Sequence, residues 1–215
     1  MTWREYHELT KHSVESLRRN PHYLDWANMP NPFRHYGGVP VLDLPPDPPS
    51  PQTSALDVLG GKTGNTLAQD GAEFLSQLLF YSASISASKR VPSTGDTYAL
   101  RVNPSSGNLH PTEFHFCAKG LADWSDGLYH YRPSSHMAEQ RAVGDFGGKL
   151  IDNSPLVFVL TSIAWREVWK YRERAYRYCL HDIGHAWQAL TLAARSIGCE
   201  SIARGQFADD KVSER

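Results

Sequence analysis

Residues 101–111 read Arg101-Val-Asn-Pro-Ser-Ser-Gly-Asn-Leu-His-Pro111 and run straight into Glu113-Phe-His-Phe-Cys-Ala118, whose alternation is that of a strand. Pro104 removes an N–H, and Gly107 opens backbone conformations closed to other residues. Ser105, Ser106 and Asn108 add short donors and acceptors. A loop of this make-up can lay backbone N–H groups and small polar side chains against a flat, polar-edged ligand. On composition alone the simpler reading is an ordinary Ser/Gly/Pro turn ahead of a strand.

To the N-terminal side, Tyr6 to Arg19 carry a helical pattern that stops at Asn20-Pro21, because proline disfavours helix in the residue before it. Tyr23 to Tyr36 is aromatic-rich but broken by Pro30 and Pro32, and reads as ordered coil against the body. Residues 40–51 hold six prolines within twelve positions, so this stretch is expected to be an extended connector rather than core. The organisation expected is an N-terminal arm at 1–39, a connector at 40–53 and a globular domain at 54–215.

Within that domain, Gly71 to Ser84 is a helix, with Phe74, Leu75, Leu78 and Leu79 at three- and four-residue spacing. Gly127 to Tyr131 and Pro155 to Thr161 read as strands. Leu156-Val-Phe-Val-Leu160 is continuously apolar and suggests a strand buried on both faces. From about Arg172 to Ile197 the pattern is one long helix, with Tyr176, Leu180, Ile183, Trp187, Leu190, Ala194 and Ile197 as its apolar stripe and Gly198 as its stop. Strands mixed with long helices give the fold class α+β.

The chain has 215 residues, 40% of them hydrophobic, enough for one sizeable core with an appended arm. A formal net charge of −1 offers no electrostatic footprint for nucleic acid or an acidic membrane surface. Cys117, Cys179 and Cys199 are odd in number and widely spaced, without a C-x-x-C pair, which speaks against a disulfide scaffold and for a reducing compartment. Met1-Thr-Trp-Arg-Glu-Tyr-His7 lacks the apolar region of a secretory signal. No window has the apolar length of a transmembrane helix. The expectation is a soluble, cytoplasmic chain with no nucleic-acid or membrane partner.

The segment Pro104-Ser-Ser-Gly-Asn-Leu-His-Pro111 resembles the flavin-contacting loop of the nitroreductase superfamily, in its SagB-type dehydrogenase branch. Ser13-Val-Glu-Ser-Leu-Arg-Arg19, Leu24-Asp-Trp-Ala27, Pro32-Phe-Arg-His-Tyr36, Gly127-Leu-Tyr-His-Tyr131 and Lys170-Tyr-Arg-Glu-Arg-Ala-Tyr-Arg-Tyr178 resemble the same branch in the same order. Blocks in matching order along nearly the whole chain are far more specific than one motif. The resemblance implies a nitroreductase-like α+β fold, a central mixed or antiparallel sheet flanked by helices, with FMN as cofactor. Relatives continue into further strands and helices beyond the point where this chain reaches Lys211-Val-Ser-Glu-Arg215, so the expectation leaves room for a missing C-terminal part. It also implies a homodimer, or a pseudo-dimer within a longer chain, because the family builds its flavin pockets between two subunits.

On that resemblance the cofactor-binding residues are Arg101, Pro104, Ser105, Ser106, Gly107, Asn108 and Leu109. Arg101 is the cationic candidate for the phosphate, since FMN asks for a cationic cradle, donors along the flavin edge and charge control near N1/C2=O. Lys170 and Tyr171 are the catalytic candidates: a Lys-Tyr pair at this place in azoline oxidases of the SagB type is implicated in removing the substrate proton as hydride leaves to flavin N5. A lysine acts as base only if burial or neighbouring cations lower its pKa, and Arg172 and Arg174 lie close in sequence. The bland alternative is a basic helix start with solvated side chains. The substrate is a heterocycle-bearing peptide on the azoline-oxidase analogy, or a small molecule with a nicotinamide donor on the general nitroreductase one.

Two observations keep other readings open. Many nitroreductases grip the phosphate with an Arg-Ser-x-Arg segment, and the corresponding Gly60-Gly-Lys-Thr-Gly-Asn-Thr66 offers only Lys62, which suits a flavin-free binding or scaffold protein of the same fold. That segment also lacks the glycine spacing of a P-loop. His181-Asp-Ile-Gly-His185 places two histidines on one helix face, as zinc proteases do, but no convincing third ligand follows and no metal is expected. Trp187 reads as core, one turn further on.

Overall fold

The computed structural model describes residues 1–19, 22–65, 71–147, 154–208, 210 and 212. The N-terminal segment forms two short helices, α1 (Trp3–Thr10) and α2 (Val14–Arg19), where one helix was expected. Thr2 caps α1 reciprocally with Glu5, which fixes its start. The expected stop at Asn20-Pro21 lies outside the described residues. Residues 22–40 are coil with one 3-10 turn at Trp26–Asn28, as the prolines require.

Strand β1 (Val41–Asp43) follows, then α3 (Ala55–Leu59), α4 (Gly71–Ala83), β2 (Ile85–Arg90) and β3 (Thr97–Arg101). After the 101–111 loop come β4 (Thr112–Ala118), β5 (Gly127–Arg132), β6 (Met137–Val143), β7 (Leu156–Ser162), α5 (Ala164–Tyr171) and α6 (Ala175–Ser196). β2 and β3 form a separate hairpin, and the main sheet has the order β1-β6-β5-β4-β7 with every pairing antiparallel.

The strand period of two sorts the sheet into unlike faces. Phe116 sits opposite Tyr129 and Phe158, and with Phe114, Tyr131 and Ala138 it packs against Leu75, Leu78 and Leu79 of α4 and Ala186, Leu190, Ala193 and Ala194 of α6. The other face carries Glu113, His115, His130 and Glu139, with His115 opposite His130 and His130 opposite Glu139. Residues 31–36 of the N-terminal arm lie over it, with Tyr36 edge-on to His130.

Three expectations need correction. The proline-rich stretch is extended, but it is not excluded from the core: Val41–Asp43 pairs with β6, and Leu44 is buried among the α4 and sheet side chains. β7 is an edge strand with its outer end exposed, rather than a strand buried on both faces. The stripe drawn along α6 is right only from Leu190 onward. Tyr176, Leu180 and Trp187 are 65%, 53% and 46% exposed, while Ala175, Cys179, Asp182 and Ala186 turn inward. Small residues let α6 approach the sheet closely, so the bulky apolar ones are left on the outer face.

Candidate functional site

The 101–111 loop is built by its own sequence. Pro104 follows the end of β3, and Ser106–Asn108 make a 3-10 turn in which Gly107 and Asn108 both have φ of 61°. Glycine and asparagine are the residue types that tolerate this left-handed region. Asn108 Nδ2 donates to the Ala99 carbonyl at 3.0 Å, and Asn108 Oδ1 meets His110 Nε2 at 2.9 Å. An amide oxygen only accepts, so that ring nitrogen carries the proton. Burial, then the charges of Arg101 and Arg166, push His110 down to about 3, so the imidazole is neutral at ordinary pH.

The loop is held down by a residue whose role was not legible in sequence. Asp182, buried on α6, accepts from Ser105 Oγ at 2.6 Å, from Ser106 Oγ at 2.7 Å and from the Ser106 N–H at 3.0 Å. Ser105 Oγ in turn accepts from the His110 N–H at 2.8 Å. The signal available in sequence was a carboxylate on the same helical face as Cys179, Ala186 and Leu190. There it must find donors, because a bare buried carboxylate is costly.

This clamp brings the expected binding loop to the expected catalytic pair. A methyl group at Gly107 would stand 2.7 Å from the Tyr171 hydroxyl and 2.8 Å from Lys170 Nζ. Lys170 and Tyr171 are the last two residues of α5, which ends where Arg172 takes φ of 48°. Gly107 itself is exposed, so the three meet at the surface. Burial, then Glu167, Tyr178 and Asp182, raise Tyr171 to about 12, which keeps its hydroxyl a proton donor. Glu167, also missed in sequence, is wholly buried one turn earlier on α5.

The remaining candidates are placed differently. Leu109 is buried beneath the loop and Pro104 is exposed above it. Arg101 is buried rather than presented at the surface: one guanidinium nitrogen donates to the Pro32 carbonyl at 2.6 Å, the group lies 5.1 Å from the Phe33 ring centre, and its other two nitrogens have no partner among the described residues. Lys62 pairs with Asp57 at 2.8 Å on the surface, and Thr66 of that segment lies outside the described residues. His181 and His185 are exposed, and no group of three metal-ligating side chains occurs among the described residues.

Behind the site, an ionic network ties the arm to the sheet and to α5. Arg166 donates to the Asn31 carbonyl at 2.9 Å, to the His110 carbonyl at 2.6 Å and to Glu113. Glu113 and Glu139 flank His130 at 2.9 and 2.8 Å, and Glu139 accepts from the Tyr36 N–H at 3.1 Å. Burial alone would raise Glu113, but His130 and Arg166 outweigh it and hold the carboxyl below the usual range. The loop, the arm and α5, which ends in Lys170 and Tyr171, are thus tied to one network.

The residues present fit one half of FMN. An exposed glycine flanked by the Lys170 amino group and the Tyr171 hydroxyl suits the polar edge of a flavin ring. The phosphate half is not matched, since Lys62 is engaged by Asp57 and Arg101 is covered by Pro32 and Phe33.

Comparison with known proteins agrees with the architecture. McbC of Escherichia coli, a microcin B17-processing protein, is 27% identical over 128 residues, covering 53% of this chain and 47% of McbC. TfxB of Rhizobium leguminosarum bv. trifolii, a trifolitoxin-processing protein, is 26% identical over 142 residues, covering 60% of this chain and 38% of TfxB. MJ1384 of Methanocaldococcus jannaschii, named as a nitroreductase, is 24% identical over 128 residues, covering 55% and 65%. The chain therefore spans less than two thirds of the length of each. The crystal structure of an Anabaena variabilis protein described as a nitroreductase superposes with a TM-score of 0.70 at 27% identity, over 89% of this chain and 38% of that one. The nitroreductase family model matches residues 97–215, from β3 through the loop and both site helices. With more than half of its length in that match and the same fold in a solved neighbour, the chain belongs to the nitroreductase family.

Proposed function

We propose that this chain is an FMN-dependent oxidoreductase of the SagB type, with its reaction centre where Gly107 meets Lys170 and Tyr171. The single observation that carries this reading is that contact, because it joins the flavin-loop candidate to the proton-handling candidate. Bound flavin would supply hydride acceptance at N5. Of the protein's own groups, the loop backbone around Gly107 would lie along the ring edge, with Pro104, Ser105, Ser106, Asn108 and Leu109 fixing its shape. Arg101 would add positive charge from beneath. Lys170 would take the substrate proton and Tyr171, held protonated, would orient it.

The substrate favoured is a peptide bearing an azoline ring, which fits the family resemblance and the names of McbC and TfxB as microcin B17- and trifolitoxin-processing proteins. A homodimer, or a pairing with a second similar domain, would complete the pocket. The exposed apolar positions Tyr176, Leu180 and Trp187 on α6, with Trp165 on α5, support such an association.

A second reading is favoured by one observation, the unmatched phosphate half: a flavin-free binding protein of the same fold. Visible absorbance of the folded protein after incubation with FMN and desalting separates the two. A retained flavin spectrum supports the oxidoreductase, and a colourless folded protein defeats it.

A further inference from the structure

Glu167 lies one turn before Lys170 and Tyr171 on α5, so it shares their side of the helix. It is fully buried, and neither carboxyl oxygen has a hydrogen-bond partner among the described residues. Asp182, across from it on α6, is by contrast supplied with donors by Ser105 and Ser106. Burying an ionised carboxylate without a donor is among the costliest arrangements in a protein, whereas the same carboxyl with its proton on costs far less. Burial first, then the charge of Asp182, push Glu167 up to about 8 against a smaller pull from Lys170. The groups that face it are Lys170 and Tyr171 from its own helix and Asp182 and Cys179 from α6, with the Tyr178 ring packed at a tilt against Tyr171. The loop meets this cluster through Gly107.

We infer that Glu167 is a positioning residue that governs how readily Lys170 gives up its proton. While Glu167 is neutral, Lys170 has no anionic partner one turn away and its amine form is more accessible. Once Glu167 ionises, its charge holds Lys170 as an ammonium, which cannot take a proton from substrate. Only the carboxyl O–H is broken in that change, and the proton passes to solvent. The inference rests on the proposed use of Lys170 as base.

The test uses the folded protein without cofactor, carrying lysine labelled with carbon-13 at Cε, with the Lys170 signal assigned through Lys170→Met. In Glu167→Gln the Lys170 titration midpoint falls by about one pH unit, because a neighbour that would become anionic is gone. An unchanged or higher midpoint overturns the inference. Infrared spectra of the unsubstituted protein need no variant to fold. A protonated-carboxyl C=O stretch is expected at pH 7 and lost as pH rises through about 8, and its absence at pH 7 overturns the inference. Both readouts are independent of whether the chain binds FMN. In loaded enzyme, Glu167→Gln moves the acid limb of kcat/KM to lower pH, whereas a uniform loss with the limb unmoved marks a merely structural role and overturns the inference.

Discussion

Asp182 and Ser106 are joined twice, through the Ser106 N–H at 3.0 Å and the Ser106 hydroxyl at 2.7 Å, so a helix residue fixes both the backbone and the side chain of the loop. Hydrogen bonds to a charged acceptor contribute about 1.5–3 kcal/mol each, and an abandoned buried donor costs about 1–3 kcal/mol. Asp182→Ala is expected to lower unfolding free energy by about 2–3 kcal/mol in urea titrations. It should also raise proteolytic cleavage within 102–110. A variant as stable and as resistant as the parent would mean the clamp does not hold the loop.

Gly107→Ala combines two penalties. The φ of 61° is strained for a residue with a Cβ, by roughly 1 kcal/mol, and the new methyl would intrude on Tyr171 and Lys170. Thermal unfolding should show a loss of about 1–2 kcal/mol. Flavin retention should fall further than that stability change explains.

The buried pair Arg166 and Glu113 is expected to behave as one unit. Removing one partner of such a pair costs about 3–5 kcal/mol, because the other charge is left buried alone. Arg166→Met and Glu113→Gln should each be strongly destabilising, and the double variant should cost clearly less than their sum. Urea denaturation of all four proteins checks this.

Stability should fall on mild acidification. Burial and neighbouring cations hold His110 near 3 and His115 near 4 in the folded chain, each below the ordinary 6.5. Their unfolded forms therefore bind protons first, so stability present above about pH 6.5 is lost progressively as pH falls through these lower values. The urea midpoint should drop between pH 7 and pH 5, and His115→Gln should flatten the drop. An unchanged slope in that variant would contradict the assignment.

The exposed outer face of α6 offers a test of association. Leu180→Glu, at a position 53% exposed, should leave the fold intact and shift a dimer toward monomer in light scattering.

How much of this was legible in the sequence depended on where apolar period and polar need coincide. β4, β5 and α4 announced themselves by periodicity because one face of each packs into the core. β6 did not, because Glu139 and Gln140 break its apolar alternation: Glu139 faces His130 and Tyr36, and Gln140 reaches the Tyr129 hydroxyl. β1 was hidden inside a proline-rich stretch. The stripe on α6 failed at Tyr176 and Leu180 because burial there selects small residues. At the site, the loop and Lys170-Tyr171 were both visible as segments, but their meeting at Gly107 is a product of the fold. Asp182 and Glu167 carry the same chemistry on facing helices, and only their partners among the described residues, donors for one and none for the other, tell them apart.

The most direct measurement is anaerobic reduction of the FMN-loaded protein by an azoline-containing peptide, followed by loss of flavin absorbance. Lys170→Met and Tyr171→Phe should keep the flavin spectrum yet bleach more slowly, by about 10²-fold or more for the lysine, the usual scale of general base catalysis. Variants that retain flavin and bleach at the parent rate would contradict a reaction centre at Gly107, Lys170 and Tyr171.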